Sequence, residues 1–341
     1  MSDANFLRNK NLTMRRHIEG FIEQLEKAFQ IGDESIFSSV DRKISNVLIC
    51  GLGGSGIGGT LVGKIAQISI KVPISVCQDY HIPAFVNNDT LVIVSSYSGN
   101  TEETLAAVKE AQKRGAEIAA VTSGGELKEI CDSNGYNYIL IPGGNPPRTC
   151  LGFSFTEQIF ILVKYRLLND SVLEDLKSAI ILLRNNDESI KKEANEVAEA
   201  LLGKLPIVYS VDQFEPVSIR FRQQLNENSK ELCWHQKFPE LNHNEMVGWA
   251  AGNVNLSVVI LRNQDDYYRT QERIEFMKGV VEEKGASVTE IWSKGASFIE
   301  KAIYLIYLTD WASLFIADKK GIDPVEIRVI DALKGHLATI K

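Results

Sequence analysis

The chain has 341 residues, of which 44% are hydrophobic and 24% charged, so it has the composition of a soluble globular protein and the length for two domains. Its formal net charge of -7 and the lack of a long lysine and arginine stripe argue against a nucleic-acid partner. The longest apolar stretch, Ala302 to Ala317, contains Asp310 and is too short to span a bilayer, and no secretory signal is visible. We therefore expect a cytoplasmic protein without a membrane partner.

The five cysteines are odd in number and widely spaced, and no two of them form a C-x-x-C pair. This usage is typical of free thiols in a reducing compartment. Neither the cysteines nor the histidines have the spacing of metal ligands, so we expect no metal site. The cysteines are Cys50, Cys77, Cys131, Cys150 and Cys233.

The first elements along the chain are a helix and a strand that leads into glycines. Apolar residues at helical spacing predict one amphipathic helix over Met14 to Ile31. Val47 to Cys50 is a short apolar strand that continues into GLGGSGIGG, Gly51 to Gly59, and a helix follows through Leu61 to Ile68. A glycine-rich turn of this kind lets a ligand approach the backbone closely.

The same turn also permits a dinucleotide site. Gly51, Gly53 and Gly56 match G-x-G-x-x-G after a strand, and Asp79 follows the next apolar run, as in the dinucleotide fingerprint. The turn is not a Walker A loop, because it lacks the G-K-[ST] ending. An NAD(P)-dependent oxidoreductase is therefore a rival hypothesis.

The stretch Thr90 to Leu105, TLVIVSSYSGNTEETL, contains an apolar run and then four hydroxyl side chains, Ser95, Ser96, Ser98 and Thr101. The run predicts a strand buried on both faces of a parallel sheet. Asn100 or Thr101 then caps a helix with an acidic first turn. Helix N-termini and hydroxyls suit an anion such as a phosphate monoester. The alternative is that these small residues only form the turn and the cap.

Two further strands, Ile118 to Thr122 and Tyr138 to Ile141, alternate with helices, which predicts a doubly wound parallel sheet with ligands at the carboxyl ends of its strands. Two neighbouring strands end in turns rich in serine and glycine. Convergence on one phosphate explains both turns, whereas a dinucleotide domain needs only one of them. This context favours the phosphate hypothesis.

The loop Pro142 to Cys150, PGGNPPRTC, carries Arg148 and is too rich in proline and glycine for regular structure, so it marks the end of the first domain. Phe155 to Leu168 and Leu173 to Leu202 then predict helices, the second of them polar enough to bridge two domains. The predicted organisation is a first domain over 1–150, a helical connection over 151–204 and a second domain over 205–341.

The second half contains a weak repeat of the first. Leu256 to Leu261 parallels Leu91 to Val94, and Lys284-Gly285-Ala286 parallels Arg114-Gly115-Ala116. The hydroxyl side chains are not repeated, because Arg262, Asn263, Gln264, Asp265 and Asp266 follow the second strand. The second domain is therefore expected to supply something other than a phosphate site.

The best candidates for that contribution lie in Leu225 to Gly248, where Glu227 and His243 are surrounded by other charged residues. Taken alone, this stretch is better interpreted as a solvated charged helix and loop. The tail Asp323 to Leu337 predicts a short helix that carries Lys334.

Six motifs in this order resemble the bifunctional phosphoglucose/phosphomannose isomerases, which are built from two SIS (sugar-isomerase) domains in tandem. They are GLGGSGIGG, SSYSGNTEETL, the NPPR loop, NENSK, ELNHNE and the terminal IDALKGHL. The resemblance covers nearly the whole chain. It implies an α/β fold of two doubly wound parallel-sheet SIS domains, related as a worn internal repeat, in a homodimer that needs no cofactor.

The resemblance also implies a role for each matching residue. Ser55, Ser96, Ser98 and Thr101 would hold the phosphate of the sugar, and Gly54 would let the backbone come close.

Among the acid and base residues, Glu227 matches the base that moves a proton between C1 and C2 through an enediol. His243 and Lys334 match residues that open the sugar ring. Arg148 matches a cation that stabilises the enediolate.

The implied substrates are glucose 6-phosphate, fructose 6-phosphate and, with less support, mannose 6-phosphate. Family members that act on mannose 6-phosphate often carry a threonine after the Asp-Pro near the C-terminus, whereas Asp323-Pro324 is followed here by Val325, Glu326 and Ile327. A non-catalytic protein that senses a sugar phosphate is the main alternative, because it would need the hydroxyls without Glu227. An NAD(P)-dependent oxidoreductase is the weaker one.

Overall fold

A computed structural model describes residues 3–38 and 42–340. The chain forms two compact units. The amino-terminal unit comprises Gly20–Asn185 and Gly295–Lys301, and the carboxyl-terminal unit comprises the residues up to Glu19, Asn186–Lys294 and the residues from Ala302 onward. Each unit has its own parallel sheet.

The amino-terminal unit is built on a five-stranded sheet with the order β2-β1-β3-β4-β5, in which every neighbouring pair is parallel. Its strands are β1 (Asn46–Cys50), β2 (Ile74–Cys77), β3 (Thr90–Ser96), β4 (Glu117–Thr122) and β5 (Asn137–Leu140). Its helices are α2 (Phe21–Glu34), α3 (Gly53–Ala66), α4 (Glu102–Lys113), α5 (Gly125–Asn134), α6 (Leu151–Lys164) and the first part of α7 (Ser171–Leu201).

Helices cover both faces of this sheet, as the alternation of strands and helices predicts. On one face, Leu48, Val92 and Ile118 share a core with Val108 of α4 and Leu127 of α5. On the other face, α3 and α6 pack on each other and on the sheet. Every residue of β3 is buried, so the prediction of a strand covered on both faces is confirmed.

The carboxyl-terminal unit repeats this topology with four strands in the order β7-β6-β8-β9, again all parallel. The strands are β6 (Leu205–Val211), β7 (Trp234–Phe238), β8 (Leu256–Arg262) and β9 (Ser287–Trp292). The helices are α1 (Asp3–Glu19), the second part of α7, α8 (Glu215–Ser229), α9 (Glu245–Gly248), α10 (Tyr268–Glu283), α11 (Phe298–Lys320) and α12 (Arg328–Leu337). The first four strands of both sheets therefore share one order, which supports the internal repeat.

Helix α11 contains the long apolar stretch of the sequence and lies in the core of its unit, where Leu305 and Leu308 are fully buried. No helix in the part of the chain that the structure describes is both long and apolar enough to cross a membrane.

The prediction of one helix over Met14 to Ile31 is wrong, because α1 ends at Glu19 and α2 begins at Phe21. Gly20 stands between them, and glycine is a poor helix former that tolerates such a break. The apolar spacing continues across Gly20 through Ile18 and Phe21, so the hydrophobic pattern alone could not reveal it.

The interpretation of Leu225 to Gly248 as only a charged helix and loop is also wrong, because β7 lies within it. β7 is an edge strand of its sheet, and its sequence, WHQKF, is largely polar. Edge strands tolerate polar residues because one side faces solvent. Such a strand lacks the apolar pattern by which strands are recognised.

Helix α8 is anchored on α11 by polar contacts. Arg220 donates to Asp310 through Nε at 3.1 Å and through a terminal nitrogen at 2.6 Å, and both side chains are buried. Two turns further along α8, the Asn228 amide donates to Ser313 Oγ at 3.0 Å and the Ser229 hydroxyl donates to Ser313 O at 2.6 Å. These contacts fix α8 along its length and around its axis.

We expect Arg220→Met to lower the free energy of unfolding of the carboxyl-terminal unit by about 3–5 kcal/mol, because it leaves the Asp310 carboxylate buried without its partner. The double variant Arg220→Met/Asp310→Leu removes both charges and is expected to recover most of that loss. All four tryptophans, Trp234, Trp249, Trp292 and Trp311, lie in this unit, so their fluorescence during urea denaturation measures its unfolding. A loss below about 1 kcal/mol in the single variant, the size of a surface ion pair, would contradict this anchoring role.

Candidate active site

Four predicted site residues, Ser55, Ser96, Ser98 and Thr101, lie where β1 and β3 end and where α3 and α4 begin; we call them the hydroxyl cup. β1 and β3 are neighbours, and the strand order reverses between them. In open α/β sheets this switch point is where ligands bind. Two helix N-termini here place unpaired N–H groups and positive dipole ends beside the hydroxyls, a combination that can hold an anion.

The sequence predicted a glycine-rich turn between β1 and the next helix. In the structure most of this segment is helical, because α3 already begins at Gly53. Gly54 and Ser55 therefore belong to the first turn of α3. This places the orphan N–H groups of the helix closer to the cup than a preceding loop would.

Hydrogen bonds hold three of the hydroxyls. Ser55 Oγ accepts from the Tyr97 amide at 3.1 Å, and Ser96 Oγ lies 3.0 Å from Thr101 Oγ1. Thr101 occupies the N-cap position of α4, yet its side chain makes no capping bond. Its hydroxyl faces Ser96 instead of the helix.

The turn between Ser96 and Thr101 is tight. Ser98 is exposed, and its Oγ accepts from the Asn100 amide at 3.2 Å. Gly99 adopts a φ of +70°, and a Cβ there would lie 1.8 Å from the carbonyl oxygen of Gly124. Glycine is therefore required at this position, since any side chain would collide with backbone.

Arg148 lies on a single 3₁₀ turn, Pro147–Thr149, and is 5% exposed. This turn packs directly on the first turn of α3, because a Cβ at Gly54 would meet Pro147 O at 2.6 Å and Arg148 N at 3.0 Å. The absence of a side chain at Gly54 therefore brings the Arg148 loop against the cup.

Tyr97, which was not among the predicted site residues, ties the same loop to the end of β3. Its hydroxyl accepts from the Asn145 amide at 3.0 Å. Burial raises the pKa of Tyr97 to about 12, so this hydroxyl stays protonated near neutrality. A tyrosine directly after an apolar strand looks like an ordinary core residue. Nothing in a single sequence indicates that its hydroxyl will contact a distant loop.

Glu227 lies in the last turn of α8 and is half-buried. Its neighbours Asn228 and Ser229 make the contacts with Ser313 of α11 that fix this end of the helix. The Lys230 ammonium donates to the backbone carbonyls of Glu227 at 2.5 Å and of Glu326 at 2.9 Å. The segment that leads into α12 is thereby held beside Glu227.

Lys334 is an exposed residue on α12, the helix that follows this segment. Lys230 was not among the predicted site residues, although a basic residue just after a helix is a recognisable C-terminal signal. In the structure Lys230 connects the end of α8 to the approach of α12.

His243 ends a 3₁₀ turn, Glu240–His243, that follows β7, and it is exposed. Glu227 lies before β7 in the chain. Helix α8 follows the carboxyl end of β6 and returns to the end of the sheet at which the parallel strand β7 starts. A strand of five residues such as β7 spans about 16 Å. Within one chain, Glu227 and His243 therefore lie at opposite ends of β7.

The predicted residues thus form separate groups. The hydroxyl cup, Gly54 and Arg148 adjoin one another in the amino-terminal unit. Glu227 and the approach to Lys334 are neighbours in the carboxyl-terminal unit, and His243 lies beyond the other end of β7. Among the described residues, no three His, Cys, Asp or Glu side chains are grouped so that they could hold a metal ion.

Comparison with known proteins agrees with this division. The profile of the SIS domain matches residues 42–144, and that of the bacterial phospho-glucose isomerase C-terminal SIS domain matches residues 190–337. The fold is similar to that of the C-terminal domain of glucosamine-fructose-6-phosphate aminotransferase from Francisella tularensis, with a TM-score of 0.72, 15% identity and coverage of 92% of this chain and 98% of that one.

Curated relatives named bifunctional phosphoglucose/phosphomannose isomerase align over nearly the full length. The protein of Caldicellulosiruptor bescii is 38% identical and that of Aquifex aeolicus 34%, and each alignment covers 94% of this chain and 97% of the relative. The fold and the site define a protein with two SIS domains in tandem. Within that class, the chain belongs to the bifunctional phosphoglucose/phosphomannose isomerase family. An oxidoreductase, the weaker alternative, is not favoured.

We expect Gly54→Ala to weaken the binding of fructose 6-phosphate about tenfold, the effect of one lost hydrogen bond to a charged group, because the new Cβ displaces the Arg148 loop. Gly63→Ala in the same helix is the control, since its Cβ would make an ordinary contact of 3.6 Å with Val76. Isothermal titration calorimetry measures both dissociation constants. Equal constants in the two variants would show that the contact at Gly54 does not support the site.

Proposed function

We propose that this protein interconverts glucose 6-phosphate, and as a second substrate mannose 6-phosphate, with fructose 6-phosphate. The observation that carries the proposal is membership of the isomerase family over nearly the whole chain. The residues for each chemical step are present: an anion site, a carboxylate, a buried cation and an imidazole. A protein that only senses a sugar phosphate would need the hydroxyl cup alone.

We assign phosphate binding to Ser55, Ser96, Ser98 and Thr101 of the predicted first domain, 1–150. The two helix N-termini and the hydroxyls supply N–H and O–H donors to a dianion without adding a charged side chain. The switch-point position of the cup supports this assignment. Gly54 contributes by allowing the Arg148 loop to lie against the first turn of α3.

We assign the proton transfer to Glu227 of the predicted second domain, 205–341, which the helical connection 151–204 joins to the first. In the open-chain aldose, its carboxylate takes the proton from C2 and returns it to C1, while the proton on the C2 hydroxyl moves to O1 through the cis-enediol. These proton transfers alone convert the aldose into the ketose, so the reaction as proposed uses no nicotinamide and no metal. The anchoring of α8 on α11 supports a fixed position for this base.

Arg148 supplies fixed positive charge for the enediolate oxygens. A guanidinium is always charged, and burial strengthens its interaction with a developing anion. His243 and Lys334 are assigned to ring opening, in which one group protonates the ring oxygen and another removes the proton of the C1 hydroxyl.

We further propose that the active protein is a homodimer in which His243 reaches the site of the partner chain. Support comes from the topology of one unit, because β7 separates Glu227 from His243. In a symmetric dimer, each chain can supply its His243 to the site that contains the partner chain's glutamate. We place the reaction in the cytoplasm, since all five cysteines are free thiols.

The function is tested by converting glucose 6-phosphate and, separately, mannose 6-phosphate to fructose 6-phosphate with purified protein in excess EDTA. We expect turnover of both, with that of glucose 6-phosphate faster because no threonine lies between Pro324 and Lys334. If the protein turned over neither substrate but still bound fructose 6-phosphate, the isomerase proposal would be wrong and a sugar-phosphate sensor would be favoured.

We expect Glu227→Gln to lose roughly a hundred- to ten-thousand-fold in kcat, the usual contribution of a positioned base, with substrate affinity retained. Glu188→Gln removes the same charge from a side chain that is 92% exposed and is the matched control. Steady-state kinetics together with calorimetric binding separate the two effects. Turnover of Glu227→Gln close to that of the control would remove Glu227 from the mechanism.

The shared site predicts complementation. Glu227→Gln and His243→Ala are each expected to be nearly inactive, yet a refolded equimolar mixture should regain roughly a quarter of wild-type activity, because half of its dimers then contain one intact site. Each variant refolded alone is the control. An inactive mixture that native mass spectrometry shows to contain mixed dimers would place Glu227 and His243 of one chain in the same site.

A further inference from the structure

Cys50 and Cys77 lie side by side at the end of two neighbouring strands. Each is the last residue of its strand, and the two are register partners in the parallel pair β1 and β2. Both side chains belong to the same core cluster, so they project from the same face of the sheet. Cys50 is 1% exposed and Cys77 is 7% exposed.

The two thiols are in contact. A hydrogen bond from Cys50 lowers the pKa of Cys77 to about 6, and the same bond together with burial raises the pKa of Cys50. The protonated Cys77 thiol donates in turn to the carbonyl oxygen of His81 at 3.3 Å. The pair therefore has one sulfur that ionises readily and one thiol that stays protonated beside it.

We propose that Cys50 and Cys77 are an oxidation site at which a peroxide converts the two thiols into a reversible intramolecular disulfide. Neighbouring strands lie about 4.8 Å apart, which is within the Cα separations of about 4.4–6.8 Å that disulfides span. The Cys77 thiolate attacks one peroxide oxygen and becomes a sulfenic acid, and the hydroxide that leaves takes up the proton lost when Cys77 ionised, forming water. Cys50 then attacks that sulfur and a second water leaves, so the two electrons lost by the thiols reduce one peroxide.

The bond forms under strain. A disulfide brings Cβ atoms to about 3.8 Å, so the ends of β1 and β2 must approach each other by about 1 Å. Strained disulfides have less negative reduction potentials and are readily reversed by thiols. This suits a transient modification in a compartment where cysteines are otherwise reduced.

The modification is coupled to the hydroxyl cup through the backbone, a step that rests on the proposed function. Gly51 directly follows Cys50, and its amide donates to the Cys77 carbonyl at 3.3 Å. Ser55 is four residues further on, in the first turn of α3. Movement of the β1 end toward β2 therefore shifts the start of α3 relative to Ser96 and Thr101 on β3 and α4. We expect weaker phosphate binding in the oxidised protein.

The other cysteines provide internal controls. Cys131 is fully buried in α5, Cys150 lies beside the Arg148 loop, and Cys233 precedes β7 in the carboxyl-terminal unit. None of these three has a cysteine as register partner in the strand pairs of the described residues.

In the test, the protein is treated with hydrogen peroxide and denatured, and its remaining free thiols are then alkylated and counted. We expect two fewer alkylated cysteines than in the reduced protein, a linked pair of peptides containing Cys50 and Cys77, and reversal by dithiothreitol. Cys77→Ser retains a donor to His81 and should abolish the link, as should Cys50→Ala, whereas Cys233→Ser should leave it intact. Alkylation of all five cysteines after oxidation, or a link between other cysteines, would overturn the proposal.

The coupling is measured on the same samples. Oxidation should raise the KM for fructose 6-phosphate about tenfold, as expected for the loss of one hydrogen bond to a charged group, and dithiothreitol should restore it. The Cys77→Ser protein should keep its KM under peroxide. Because coupling is reciprocal, fructose 6-phosphate should lower the oxidised fraction in a glutathione redox buffer. A disulfide that leaves KM unchanged would overturn the coupling, whereas a reduced protein without isomerase activity would overturn the proposed function and leave the thiol count valid.

Discussion

The buried ion pair between Arg220 of α8 and Asp310 of α11 is the contact on which the arrangement of the carboxyl-terminal unit depends. Burial of two charges is costly, and such a pair is retained only when its geometry is good and its partners are satisfied. Here both guanidinium bonds are made, and Asn228 continues the polar contact two turns along. A hydrophobic face could slide or rotate, whereas these directional bonds allow one register. The last turn of α8, with Glu227, is therefore held in one orientation.

A different constraint shapes the amino-terminal unit, where backbone must approach backbone closely. The first turn of α3 tolerates the Arg148 loop only because Gly54 has no side chain, and the turn before α4 tolerates Gly124 only because of Gly99. These two approaches bring two helix N-termini and one cation-bearing loop to the switch point of the sheet. An anion held there would meet hydroxyls and N–H groups that need no reorganisation, and preorganised donors are the effective ones.

Much of this could be read from the sequence, because strands buried on both faces leave long apolar runs and parallel topology fixes where their ends meet. What could not be read depends on contacts between residues distant in sequence. Arg220 and Asp310 lie 90 positions apart, and neither has a local signal. Gly20 breaks a helix whose apolar period continues, and the hydroxyl of Thr101 faces Ser96 where the sequence favoured a cap. The polar edge strand β7 resembles a loop by composition, although it is what separates Glu227 from His243.

The two copies of the worn repeat differ in the side chains at the ends of their strands. At the end of β8, the counterpart of β3, Arg262 is buried and donates to Glu275 at 2.7 Å and also to Glu290. The guanidinium is neutralised within the unit, and the added carboxylates would repel a phosphate. The end of β8 is therefore unsuited to an anion, unlike the end of β3. In the proposed mechanism, the end of α8 and the loop after β7 supply the acid and base groups. Because these two segments lie at opposite ends of β7, that mechanism calls for a second chain.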